Sequence, residues 1–174
     1  MPSPVAIAAA AADEIAIVQQ LADTIWRRHY PSIISEAQID YMLGRGYTHE
    51  ALAAFVGRVD RGLLLARVAG GAVGFAAWHL DAGSGEAKLD RLYVLPAYQR
   101  EGIGGALIAR VEGDARAAGA STLILNVNKR NTQAIAAYTR HGFAVREAVV
   151  VPIGEGFVMD DFVLARPIRR AAAG

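Results

Sequence analysis

The sequence predicts an α/β fold in which a mixed central sheet of about seven strands is flanked by helices. Apolar residues repeat at helical spacing in some stretches and at strand spacing in others. The middle of the chain offers three consecutive strand-like runs joined by short polar turns. The later runs alternate with helical ones, so crossover connections and some parallel pairing are required.

Val5 to Ala9 reads as a weak first strand. Asp13 is a plausible N-cap for a helix whose apolar stripe is Ile15, Val18, Leu21, Ala22 and Ile25, ending near Tyr30-Pro31. A second helix runs from about Ser35 to Leu43 and stops at Gly44-Arg45-Gly46. A third runs from about His49 to Arg58 behind the cap Thr48. The period then changes. Leu63 to Val68 and Val73 to His79 read as strands joined by the hairpin signal Ala69-Gly70-Gly71. A polar loop over Asp81 to Gly85 leads to a strand over Ala87 to Leu95, which Pro96 terminates. Gly102 to Gly119 reads as a helix with Ile103, Leu107, Val111 and Ala115 on one stripe. Thr122 to Val127 is a short buried strand, and Asn131 to His141 a helix closed by Gly142. Phe143 to Val151 and Phe157 to Ala165 make the last two strands.

At 174 residues the chain can bury one sizeable core. Hydrophobic residues make up 53% and charged residues 20%, a globular balance. The net charge of +1 offers no electrostatic footprint for nucleic acid or an anionic membrane. With no cysteine there is no disulfide, no thiolate nucleophile and no Cys-ligated zinc, and no metal site is expected. Met1 to Ala12 carries no basic residue, and no apolar run reaches about 18 residues. A soluble cytoplasmic protein with no membrane partner is therefore expected.

The segment with the most chemical content is Leu92-Tyr93-Val94-Leu95-Pro96-Ala97-Tyr98-Gln99-Arg100-Glu101-Gly102-Ile103-Gly104-Gly105. A strand runs into a loop that opens a helix at glycines. Helix N-termini expose unpaired N–H groups and a partial positive charge, and glycine lets phosphate oxygens come close. The turn is not a P-loop, because Gly105-Ala106 stand where Lys-Ser/Thr is required. The dinucleotide fingerprint fails as well. Leu107 replaces its third small residue, and no acid follows in the next strand. Close helix–sheet packing alone would also account for the glycines.

Gln99-Arg100-Glu101-Gly102-Ile103-Gly104 resembles the coenzyme-binding motif of the GNAT superfamily of N-acetyltransferases, Gln/Arg-x-x-Gly-x-Gly/Ala. The approach Leu92-Tyr93-Val94-Leu95-Pro96 is similar to that family's, and Asn131 through Tyr138 to Gly142-Phe143 resembles its second motif. The element order agrees from about residue 5 to 166. The resemblance implies the GNAT (acyl-CoA N-acyltransferase) fold. It also implies a single N-acetyltransferase domain over residues 1–168, with 169–174 as a flexible tail.

By the same resemblance, backbone N–H groups over Gln99, Arg100, Glu101, Gly102, Ile103, Gly104 and Gly105 hold the pyrophosphate of acetyl-CoA, the co-substrate. Leu92 and Val94 pair with the pantetheine arm as an added strand, and an N–H near Val94 polarises the thioester oxygen. Asn131 touches the pantetheine region. Tyr138, two helical turns or about 10 Å on, is the general acid toward the thiol. As bare residues these two also fit an N-cap and a core tyrosine. The general base is less determinate. Glu86, Lys88 and Asp90 alternate on the strand before the motif, with Lys88 where relatives often place a Glu. Asp90 is the catalytic choice, unless it merely pairs with Arg91 or Lys88; His79 belongs to the neighbouring strand. For the acceptor, Trp26, Tyr30 and His79 are the binding residues read from the sequence. Tyr41, Tyr47 and Asp160-Asp161 add aromatic and acidic character suited to a small cationic amine. Lys129 and Arg130 fit either the coenzyme's phosphates or a solvated loop.

The resulting expectation is direct acetyl transfer to a primary amine of a small molecule, by a chain that allows a homodimer. The alternatives are a protein or peptide N-acetyltransferase and a non-catalytic acyl-CoA-binding regulatory domain.

Overall fold

The computed structural model describes residues 3–169. The strands are β1 (Val5–Ala9), β2 (Arg61–Val68), β3 (Gly71–Asp81), β4 (Glu86–Val94), β5 (Thr122–Asn128), β6 (Ala144–Gly154) and β7 (Phe157–Pro167). The helices are α1 (Ile15–His29), α2 (Glu36–Gly46), α3 (His49–Ala53), α4 (Ile103–Ala117) and α5 (Thr132–Arg140). Single 3-10 turns precede α1, follow it, and follow β4. The seven strands form one sheet in the order β1-β2-β3-β4-β5-β7-β6. Every neighbouring pair is antiparallel except β4 and β5, which the α4 crossover makes parallel. The mixed, helix-flanked sheet is the architecture expected from the sequence.

The central strands are apolar on both sides because each side carries its own core. Leu64, Ala66, Ala76 and Trp78 pack beneath α4 residues Leu107, Val111 and Ala115. Their alternates Leu63, Leu65, Phe75 and Ala77 pack beneath α1 residues Val18, Ala22 and Ile25. Period-2 alternation thus divides one strand between two cores. The β2–β3 hairpin turns through Ala69 and Gly70 with φ of 51° and 83°, the doubly positive geometry that such two-residue turns prefer.

β3 and β4 approach closely at Gly74. A Cβ there would stand 2.8 Å from the backbone oxygen of Tyr93, so Gly74→Ala must push the two strands apart. We expect a loss of about 1–3 kcal/mol in denaturant unfolding, the usual cost of overpacking.

The structure moves several local features. Asp13 caps nothing; the first turn is instead closed by Glu14, whose carboxylate accepts from the Ala11 N–H at 2.9 Å and pairs with Arg67. Helix α2 ends within the expected stop Gly44-Arg45-Gly46 but runs on to its last residue, Gly46, where Arg45 and Tyr41 both donate to the carbonyl of Ile153 in the β6–β7 hairpin. Helix α3 ends at Ala53, well before Arg58. Thr48 and Ser35 cap their helices as read, accepting from Ala51 N and Gln38 N. The tail expected to fray lies mostly outside the described residues. Within them, Arg169 is tied by its N–H to Glu112 at 2.9 Å.

Two irregularities prepare the site. Ala77 pairs with Arg91 but Trp78 with Leu89, leaving Asp90 as the extra residue of a β-bulge. The second is a splay in the sheet. β4 and β5 pair only from Glu86↔Thr122 to Lys88↔Ile124, although both strands continue for several residues. Beyond that point β4 is bonded on its β3 side alone, and a wedge opens between strands.

Candidate active site

The wedge leads into a cavity of about 870 Å³. Its walls come from the free half of β4, the turn into α4, helix α5, helices α1 and α2, and the outer ends of β5 and β7. Among the described residues no cluster of three His, Asp or Glu side chains could hold a metal, and no helix is long and apolar enough to cross a membrane.

At one end lies the glycine turn. The first backbone bond of α4 runs from Ala106 N to Gly102 O at 3.0 Å. The N–H groups of residues 100–105 have no backbone carbonyl partner among the described residues. Arg100 and Gly102 both take positive φ, 65° and 81°, which turns successive N–H groups toward one side. A Cβ on Gly102 or Gly104 would meet nothing within 4 Å, so the space above them is open. These features fit a pyrophosphate seated on a helix N-terminus. Gly105 differs: a Cβ there would lie 2.9 Å from the His141 ring, so its smallness serves α4–α5 packing. Gln99 bridges the turn to the cavity wall, donating to Val94 O at 3.2 Å and accepting from Gln133 at 3.4 Å. Glu101 is exposed. Leu92 and Val94 lie on the free half of β4, their side chains packed into the α4-side core and their main chain facing the wedge.

Tyr138 reaches the cavity from α5. Its ring stands edge-on to Phe143 at 5.6 Å, and its hydroxyl has no hydrogen-bond partner among the described residues. Burial, with Tyr30 nearby, pushes its hydroxyl pKa well above the ordinary value, so the group is a proton donor at all working pH. Asn131 is N-cap as well as cavity wall. Its Oδ1 accepts from Ala134 N at 3.4 Å and from His29 Nε2 at 3.0 Å, so His29 carries its proton on Nε2. Asn131 thus ties α5 to α1, and its side-chain oxygen already accepts two hydrogen bonds. Asn131→Ala should cost about 1–2 kcal/mol in thermal or denaturant unfolding, from the lost cap and a buried hydrogen bond.

On the α1 wall Trp26, 4% exposed, stacks against Tyr30 at 4.3 Å and Tyr93 at 5.7 Å. The hydroxyls of Tyr30 and Tyr93 lie 3.0 Å apart, and both are pushed up by burial. His79 does not line the cavity; its Nδ1 lies 2.6 Å from Asp90 Oδ2. Asp90 therefore pairs with His79, neither with Arg91 nor with Lys88. Arg91 instead donates to Gly46 O at 2.6 Å and lies over the Tyr47 ring. Tyr41 and Asp160 are not brought to the site: Tyr41 packs on Phe157, and Asp160 pairs with Lys129 at 2.7 Å. Arg130 donates to Ile33 O and Ser32 O, so neither basic residue of that loop is free for a phosphate.

A family model described as "Acetyltransferase (GNAT) family" matches residues 19–143. An IAA acetyltransferase of Azospirillum brasilense is 38% identical over 87 residues, 50% of this chain and 57% of that protein. An uncharacterized N-acetyltransferase, YjcF, of Bacillus subtilis is 38% identical over 73 residues, 42% of this chain and 49% of that protein. The matched stretch thus spans about half the length of these curated relatives. Among solved structures, PaiA N-acetyltransferase from Thermoplasma acidophilum in complex with coenzyme A superposes with a TM-score of 0.80 at 24% identity, covering 94% of this chain and 99% of that one. That likeness is one of fold.

Proposed function

The chain belongs to the GNAT family of acetyltransferases, and from that membership we propose that it transfers the acetyl group of acetyl-CoA directly to the primary amine of a small molecule. The observation that carries the reading is the pairing of the β4–β5 wedge with the unpartnered N–H groups of residues 100–105 at its mouth. Acetyl-CoA supplies an activated thioester. Residues 100–105 hold its pyrophosphate through backbone donors and the α4 dipole. The free edge of β4 from Leu89 to Val94 receives the pantetheine as an added strand. With Gln99 on the Val94 carbonyl, the Val94 N–H is the donor left to polarise the thioester oxygen. Tyr138 protonates the departing thiolate. Asp90, fixed by His79, orients the acceptor from the bulge. A cavity walled by β4, α1, α2 and α5 favours a small acceptor over a folded protein.

The test is thiol release from acetyl-CoA over a panel of spermidine, lysine, kanamycin and a glycyl peptide. Turnover of a small amine is the expected result. Turnover confined to the peptide would move the reading to a protein acceptor. Tight coenzyme binding without turnover on any amine would make the domain a non-catalytic binder.

A further inference from the structure

One group in the cavity has no role in the chemistry above. Asp161, on β7, is only 2% exposed and forms part of the cavity wall, and its Oδ2 has no hydrogen-bond partner among the described residues. A carboxylate oxygen excluded from water and left unpaired costs stability, so folded proteins rarely keep one without a use for the group. Its neighbours come from every surrounding element. Lys88 faces it from β4 and Asn126 from β5. Lys129 and Asp160 flank it, and Tyr30 reaches it from the end of α1. Lys129 is already paired with Asp160, and Lys88 has no carboxylate within 4.0 Å among the described ion pairs. Tyr30 neighbours Tyr138 in turn. Asp161 and Tyr138 line the same cavity.

Asp90 also lines the cavity, but it sits on a bulge and has its Oδ2 committed to His79. We propose that Asp161 is the catalytic base of the acetyl transfer, the carboxylate that receives the acceptor's ammonium and takes its proton. The proposal rests on the acetyltransferase reading. It replaces Asp90 in the proton-accepting role and leaves it as a positioning residue.

The step balances as follows. The Asp161 carboxylate removes one proton from R–NH3+, becoming a neutral carboxylic acid and freeing the nitrogen lone pair. The C–N bond forms as the thioester C–S bond breaks, and the sulfur takes the Tyr138 hydroxyl proton. The second nitrogen proton returns to the Tyr138 oxygen, and Asp161 releases its own proton to solvent. The net change is one proton released per amide formed.

Burial, helped by the charge of Asp160, raises the Asp161 pKa from its ordinary value, against the pull of Lys88, the Asn126 hydrogen bond and Lys129. A base is active when ionised, so kcat/KM should fall as pH drops through this raised value. The same shift has a stability consequence of fixed sign. A folded-state pKa above the unfolded one means that stability falls as pH rises through that window. Asp161 is then a net cost to the fold at neutral pH.

The experiment compares wild type, Asp161→Asn, Asp161→Glu and Asp90→Asn, using the panel member that wild type turns over fastest. In Asp161→Asn we expect kcat to fall a hundredfold or more, the acidic limb of kcat/KM to vanish, coenzyme A affinity to stay within twofold, and Tm at pH 7 to hold or rise. Asp161→Glu should restore part of kcat, and Asp90→Asn should keep the limb. A lowered Tm with the acidic limb intact would make Asp161 a structural residue and overturn the proposal. So would loss of the limb in Asp90→Asn alone. If wild type turned over no amine, the underlying acetyltransferase reading would fall first, and the unchanged or raised Tm of Asp161→Asn would no longer point to a base.

Discussion

Tyr138→Phe is expected to lower kcat about a hundredfold, within the range that a positioned general acid contributes, while coenzyme A affinity stays unchanged. The hydroxyl is the one polar atom of that side chain, and no described residue depends on it for a hydrogen bond. The ring keeps its edge-on packing against Phe143 in the variant, so stability should change little. The pH profile adds a second readout. Burial and the neighbouring Tyr30 hold the hydroxyl protonated beyond its ordinary range near 10. Deprotonation of Tyr138 therefore imposes no alkaline limb on the wild-type rate below about pH 10. Stopped-flow or steady-state thiol release gives both results. A kcat within twofold of wild type would remove Tyr138 from the chemistry.

Gly104→Glu is expected to weaken coenzyme A binding about a hundredfold. The new side chain grows into the open space over the α4 N-terminus, where a Cβ meets nothing within 4 Å. A carboxylate about 5 Å from a phosphate oxygen repels it by about 3 kcal/mol at an effective dielectric near 20, equivalent to about a hundredfold in affinity. The fold should not suffer, because an acidic residue in the first turn suits the helix dipole. Calorimetric titration with coenzyme A, beside a thermal melt, separates the effects. Lost affinity with unchanged Tm supports the turn as the pyrophosphate seat. Unchanged affinity would move the coenzyme elsewhere.

Much of the framework was legible because the signals are local. Ala69-Gly70 in the hairpin, Thr48 and Ser35 at helix starts, and the alternating apolar residues of β2 and β3 each act within a few residues. The glycine turn was legible for the same reason, since it needs only positive φ and the absence of side chains. Features set by distant partners were not. Glu14 took the role read for Asp13 by bonding back to Ala11 and across to Arg67. Helix α2 runs past Gly44 to the second glycine of its stop signal, Gly46, and a hairpin more than a hundred residues away accepts hydrogen bonds from Tyr41 and Arg45 on that last stretch. The bulge at Asp90 is invisible in an alternating pattern, since it appears only when β3 and β4 are laid in register. That single extra residue, with His79 beside it, changes what Asp90 can do. In Asp160-Asp161 the sequence shows two adjacent acids. Only the strand's pleat reveals that one pairs with Lys129 in the open and the other is buried in the cavity wall.

The central claim is that acetyl-CoA lies in the β4–β5 wedge with its pyrophosphate on residues 100–105. Hydrogen–deuterium exchange with and without saturating coenzyme A tests it most directly, because the amides of residues 100–105 have no backbone carbonyl partner among the described residues and sit beside a half-bonded strand. The account predicts that coenzyme A slows exchange in residues 100–105 and along Leu89 to Val94, and leaves β1 and β2 unchanged. Saturable binding that slows exchange in neither segment would contradict it.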